Sequence, residues 1–227
     1  MARILIADDE ESIRDIVSFY ARREGHEPVA VKDGEAAVAA FSVGGFDLVI
    51  LDVMMPMRNG FEVCAALRAV DDDVPIVLLS AKGDIVDKSM GFGAGADDYI
   101  TKPFDPEELV LRINSCLRRH GSKAAAPSAE RIVLDDLVIC PKEREVSVGG
   151  VRVVLTAKEF DILNFMAQYP GAVFSRAQIL DAVWGADHVG DSGVVAVFVR
   201  RLREKIEQDS SHPRHILTEW GAGYRLV

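Results

Sequence analysis

Three cysteines in 227 residues, Cys64, Cys116 and Cys140, are too few and too scattered for a disulfide framework. An odd count without metal-ligand spacing points to free thiols in a reducing cytoplasm and argues against a zinc site. Long hydrophobic runs are missing too. The opening Ile4-Leu5-Ile6-Ala7 is cut off at once by Asp8-Asp9-Glu10-Glu11, so neither a secretory leader nor a membrane span is expected. There is no internal repeat, and the five histidines are scattered, each reading as a surface residue rather than a base or ligand. A basic excess is also lacking: the net charge of -10 argues at first sight against a nucleic-acid partner.

That charge is unevenly spread. Residues 1 to 120 carry 13 basic against 22 acidic side chains, and the remainder 13 against 14, so the acidity belongs to the first half. In the second half Arg200, Arg201, Arg203 and Lys205 cluster against Glu204 as a local basic stripe. A 49% hydrophobic and 27% charged composition is that of a globular chain, long enough for two cores.

Apolar runs at Arg3 to Asp8, Glu27 to Lys32, Asp47 to Asp52, Val74 to Ser80 and Asp97 to Lys102 read as buried strands. Helical spacing lies between them, as in Ile13, Ile16, Val17 and Tyr20, and again after the last run in Leu109, Ile113, Cys116 and Leu117. Asp105 as N-cap with Pro106 at the first helical position opens the fifth helix. Five βα units predict an α/β fold with a doubly wound parallel sheet over residues 1–120. Residues 121–130, rich in Gly, Ser, Ala and Pro, read as a linker. Over 131–227 the pattern changes to short hairpins, one turning at Gly149-Gly150. Two helices follow, opened by the capping boxes Thr156-x-x-Glu159 and Ser175-x-x-Gln178, then a third from about Gly193 to Gln208 and a closing hairpin. This is the layout of a small winged helix-turn-helix domain.

If the sheet forms, Asp8 and Asp9 end the first strand, Asp52 the third, Ser80 the fourth and Lys102 the fifth, all on one edge. Alone, Asp52 would be an even choice between a functional residue and a turn cap. Together, three carboxylates repel unless a divalent cation holds them ionised, and a hard oxygen site of this kind suits Mg²⁺. Lys102 and Ser80 supply a charge and a hydroxyl for phosphoryl oxygens, which leaves Asp52 as nucleophile.

These residues resemble the receiver domain of two-component response regulators and, with the C-terminal half, the OmpR/PhoB family, over nearly the whole chain. The resemblance makes Asp8 and Asp9 the acidic pair, Asp52 the phosphoacceptor, Ser80 and Tyr99 the switch residues, and Lys102-Pro103 a Lys-Pro whose peptide bond is usually cis. It also gives the metal a backbone carbonyl from Met54; Pro56 and Gly60 stand where the family has them. By propensity alone Tyr99 reads equally well as a half-buried packing residue. The implied function is a CheY-like receiver that accepts a phosphoryl group from a sensor histidine kinase, dimerises and regulates transcription with RNA polymerase, without enzymatic turnover of its own. A haloacid-dehalogenase-type phosphatase would need a second Asp where Met54 stands. A receiver acting by protein contact alone, with a C-terminal domain that grips DNA weakly, is the other alternative.

The same resemblance makes the fourth helix, fifth strand and fifth helix a dimer face, pairing Lys88 with Glu108, Asp98 with Arg112 and Asp97 with Arg119 across subunits. The alternative is a capping role for Glu108 and a solvated face for the rest. Gly91-Phe92-Gly93-Ala94-Gly95 suggests a short or mobile fourth helix. On the third C-terminal helix Val195, Val199, Leu202 and Ile206 form the packed face, while Val197, Arg200, Arg201 and Glu204 point away. Duplex DNA, which the resemblance implies in tandem half-sites, is expected to meet Val197 and Phe198 as apolar contacts, Arg201 as a base reader, and Arg200 and Arg203 on phosphates. At the start of that helix, Gly193, Val194, Ala196 and Phe198 replace the polar residues of many members, which removes phosphate contacts and predicts a shallow salt dependence.

Overall fold

In the computed structural model, residues 1–81, 94–121, 131–185 and 192–227 are described, with side chains in the helix ending at Gly121 described through Leu117. The chain divides into two compact units, Met1–Ser122 and Lys123–Val227. The expected fourth helix with its glycine run to residue 93, Lys88 and most of the linker lie outside the described residues. Helices are numbered below among those described.

The first unit alternates β1 (Arg3–Ala7), α1 (Glu11–Arg23), β2 (Glu27–Val31), α2 (Gly34–Ser42), β3 (Leu48–Asp52), α3 (Gly60–Arg68), β4 (Ile76–Ala81), β5 (Asp98–Lys102) and α4 (Pro106–Gly121). The strands pair in parallel in the order β2-β1-β3-β4-β5. The central β3 is buried at every position, as its unbroken apolar run requires. One sheet face packs Leu5, Val49 and Leu51 on Phe41 of α2 and Val63 and Leu67 of α3. The other packs Ile4, Ile6 and Ile50 on Val17 of α1 and Leu109 and Ile113 of α4. Each fully buried Leu or Ile stabilises the unit by about 1.5–3 kcal/mol relative to exposure.

Helix starts follow the local chemistry. Asp33 caps α2 through Ala36 N–H, and Asn59 forms a capping box with Glu62 at α3. Asp105 accepts from the backbone N–H of Glu107 at 2.7 Å, as expected of the N-cap. In α1 the expected stripe is rotated: Val17 and Ala21 are fully buried, whereas Ile16 is 42% exposed.

The second unit begins with an antiparallel meander of β6 (Ile132–Leu134), β7 (Leu137–Cys140), β8 (Glu145–Val148) and β9 (Val151–Val153). Gly149 and Gly150 both have positive φ, the requirement of a tight two-residue hairpin turn. Next come α5 (Ala157–Ala167), β10 (Val173–Phe174), α6 (Arg176–Trp184), α7 (Gly193–Ile206), β11 (Ile216–Glu219) and β12 (Gly223–Leu226). Thr156 with Glu159 and Ser175 with Gln178 form the two expected capping boxes. The short strands pair in the order β10-β12-β11. Gly223 has φ 146°, and a Cβ there would overlap the carbonyl of Phe174, so the closing hairpin seats against β10 only with glycine.

Candidate functional site

The parallel sheet delivers the acidic and basic residues to one edge because every strand runs the same way. Asp8 follows β1, Asp52 ends β3, Ser80 lies near the end of β4, and Lys102 ends β5. The order places β1 between β2 and β3, the switch point where such sheets open a crevice. Close approach of the next loop depends on Gly60, where a Cβ would overlap the carbonyl oxygen of Asp52.

Lys102 Nζ lies 2.7 Å from Asp8 Oδ2 and 2.7 Å from Asp52 Oδ1, with Glu10 at 3.7 Å. Oxygens of Asp8, Asp9 and Asp52 all lie within 4.8 Å of one another. Asp8 is fully buried, Asp52 is 4% exposed, and Asp9 is open to solvent. Burial pushes the Asp8 carboxyl above its usual value, more than the hydrogen bond from Lys102 lowers it. For Lys102, burial alone would lower the ammonium, but hydrogen bonds to Asp52 and Asp8 outweigh it and hold the group above its usual value. One ammonium therefore serves an excess of carboxylates, and the clustered hard oxygen donors of Asp8, Asp9 and Asp52 suit a divalent cation.

Asp52 Oδ2 accepts from the backbone N–H of Met54 at 2.8 Å, so the residue caps its own turn as well as facing Lys102. The Met54 side chain is 73% exposed. Ser80 is buried, and its hydroxyl donates to the Ala81 carbonyl at 3.3 Å. Tyr99 is half-buried against the core on the α2 and α3 face. The Lys102-Pro103 bond is cis.

On the expected dimer face, Asp98 and Arg112 meet within one chain, at 3.1 Å, both buried. Arg112 also pairs with Glu108 at 3.2 Å, one helical turn away. Asp97 departs from expectation. It is 1% exposed and accepts from Arg68 and from the Ile76 backbone N–H, so within its own chain it ties α3 to the sheet. Asp97 stands just before β5 and meets Arg68 of α3, whereas Asp98 opens the strand and meets Arg112 of α4. The Arg119 side chain lies outside the described residues.

The C-terminal expectations need more correction. Val195, Val199, Leu202 and Ile206 are buried as expected, but Phe198 is fully buried as well, 5.3 Å from the Trp184 ring. It stands three residues after Val195 and so belongs to the same apolar stripe, which removes it from any groove contact. Arg203 folds back, donating to the Ile216 carbonyl at 2.9 and 2.6 Å and to the Thr218 hydroxyl at 2.8 Å. Arg201 is only 13% exposed at its side chain and pairs with Glu159 at 2.8 Å. The outward face keeps Val197, half-buried, and Arg200, 80% exposed and paired with Glu204 at 2.9 Å.

Residues 4–114 match the family described as "Response regulator receiver domain", and residues 150–226 match "Transcriptional regulatory protein, C terminal". "Sensory transduction protein RegX3" of Mycobacterium tuberculosis is 42% identical over 226 residues, covering all of this chain and 99% of that protein. Its namesake in Mycolicibacterium smegmatis is 42% identical over 227 residues with the same coverage. Among solved structures, DrrB, described as a Thermotoga maritima OmpR/PhoB homolog, superposes with TM-score 0.53 at 33% identity, covering 100% of this chain and 99% of that one. A mutant of RitR shares the fold, with TM-score 0.77 at 24% identity and the same coverage. The transcriptional match of the second unit disfavours the contact-only alternative. With receiver and regulatory domains in this order and full-length relatives at 42% identity, the chain belongs to the OmpR/PhoB family of two-component response regulators, DNA-binding proteins controlled by a histidine kinase.

Proposed function

We propose that Asp52 accepts the phosphoryl group of a phosphohistidine on a sensor kinase in the cytoplasm, and that the acyl phosphate so formed drives dimerisation and transcriptional control. The observation that carries this reading is the Lys102 ammonium held 2.7 Å from Asp52 and from Asp8 at the carboxyl edge of the sheet. A carboxylate oxygen of Asp52 attacks phosphorus as the P–N bond breaks, and the kinase imidazole leaves. Lys102 then holds a phosphoryl oxygen. The Ser80 hydroxyl, now on the Ala81 carbonyl, rotates to donate to another, and Tyr99 follows it inward. Asp8, Asp9, Asp52 and the Met54 carbonyl would hold Mg²⁺, which when bound neutralises charge on the phosphoryl oxygens. A small phosphodonor with Mg²⁺ is expected to add one acid-labile phosphoryl group to the wild type and none to Asp52→Asn by intact mass. Equal labelling of the two would sink the assignment.

Dimerisation is proposed through Lys88, Glu108 and Arg119, with Asp97, Asp98 and Arg112 held in buried pairs within the chain. The output is duplex DNA binding at tandem half-sites, read by α7 in the major groove, with recruitment of RNA polymerase. Arg200 is the α7 side chain best placed for phosphate or base, and Val197 supplies the apolar surface for a thymine methyl. Support comes from their outward placement, opposite the packed Val195, Leu202 and Ile206.

A further inference from the structure

Among the described residues Glu159 has the least solvent contact of any acid in the second unit, at 0% exposed, and it is the third residue of α5. One of its oxygens accepts from the Thr156 backbone N–H at 2.8 Å, closing the capping box. A capping box on a helix end asks for no cation, and Ser175 with Gln178 builds the same box with a neutral side chain. Glu159 instead meets two cations from α7: Arg201 on one oxygen and Lys205 on the other, each at 2.8 Å. Lys205 also donates to the Val154 carbonyl at 3.0 Å. Arg201 and Lys205 are four residues apart, so one buried carboxylate grips a full turn of the helix that carries the basic stripe.

We propose that Glu159 is a positioning residue for DNA binding. By holding Arg201 and Lys205 against α5 it keeps two charges of α7 off the phosphates and fixes the rotation that presents Val197 and Arg200. The inference rests on DNA binding by α7 and goes beyond it by assigning which charges take part. A stripe of four cations then contributes few phosphate contacts, because Arg203 is also held, by the Ile216 carbonyl and Thr218. Non-specific binding, which depends on the number of neutralised phosphates, is suppressed relative to binding by the exposed face.

Glu159→Gln tests this, since Gln preserves shape and capping box but not the charge. The full-length protein is titrated onto a random-sequence duplex at about 50 to 200 mM salt, with the melting temperature recorded beside it. Each released cation adds about 0.9 to the slope of log affinity against log salt, so Glu159→Gln should bind more tightly at low salt. Its advantage should shrink by about 3- to 12-fold across that range. Adding Arg201→Gln to Glu159→Gln should restore about 0.9 of the slope. A folded Glu159→Gln with the wild-type slope overturns the proposal, whatever its melting temperature, because a merely structural carboxylate would move only the latter. If Glu159→Gln does not fold, Lys205→Gln decides: an unchanged slope supports the proposal and a slope shallower by about 0.9 overturns it. A wild type that binds no duplex at any salt overturns the DNA reading itself, an outcome distinct from equal slopes.

Discussion

Arg68 directs its guanidinium entirely inward. It donates to the carbonyls of Gly95, Asp71 and Val74 and to the carboxylate of Asp97, whose oxygen also takes the Ile76 N–H. Both side chains of the pair are under a tenth exposed, so removing one partner strands the other charge in the core. Arg68→Ala is expected to destabilise the receiver by about 3–5 kcal/mol, read as a lowered urea midpoint. Lys102 poses the opposite case, a half-buried cation placed for chemistry rather than for packing. Lys102→Ala removes the ammonium held against Asp52, and labelling by a small phosphodonor should slow by about 100-fold, the scale of losing one fixed electrostatic partner. A rate within about threefold of wild type would show that the ammonium does not touch the transferred group.

At the scale of elements, the loop between α7 and β11 is organised by one carboxylate. Glu207 accepts from the backbone N–H groups of Arg214, His215 and Ile216 at 2.8, 2.9 and 3.0 Å. His215 lies between Glu207 at 3.1 Å and Asp136 at 2.8 Å, which ties the β6–β7 turn to the start of the closing hairpin. Burial alone would raise Glu207, but the three N–H donors outweigh it and hold the carboxyl below its usual value. The hydrogen bond from His215 likewise lowers Asp136. For both acids the folded value lies below the unfolded one, so their contribution is fully present above about pH 4.5 and is lost as pH falls through the lowered folded values. Resistance of the second unit to urea should therefore weaken as pH falls below about 4.5, with Glu207→Gln flattening that decline and costing about 1–3 kcal/mol at neutral pH. An identical pH profile for the variant would remove Glu207 from the linkage.

For the whole molecule, the testable coupling is between Asp52 and self-association. Exposed ion pairs are worth about 0.2–1 kcal/mol each, so a face built from them is weak enough for phosphorylation to tip. Arg112 is a poor probe of that face, because its buried in-chain pair with Asp98 makes any reversal a folding defect. Glu108, about a third exposed, is better. Phosphorylated wild type should sediment toward a dimer. Glu108→Lys should lose most of that shift, and the double variant with Lys88→Glu should regain part of it. No difference between Glu108→Lys and wild type would leave the charges as ordinary surface.

Sequence by itself determined most of the described elements and which residues gather at the sheet edge. Lys102 and Asp8 are 94 residues apart, yet their meeting was legible, because parallel strands bring all their carboxyl ends to one side whatever the intervening chain. Capping boxes at Thr156 and Ser175 were legible because they are local, spanning four residues. Only the tertiary structure decided the partners of the buried charges. Periodicity reports which face a residue occupies, not which side chain waits on the neighbouring element, and it left Arg68 with Asp97, Arg201 with Glu159 and His215 with Asp136 unread. The desolvation cost of an unpaired charge forces each of these to find a partner across elements, and that choice belongs to packing.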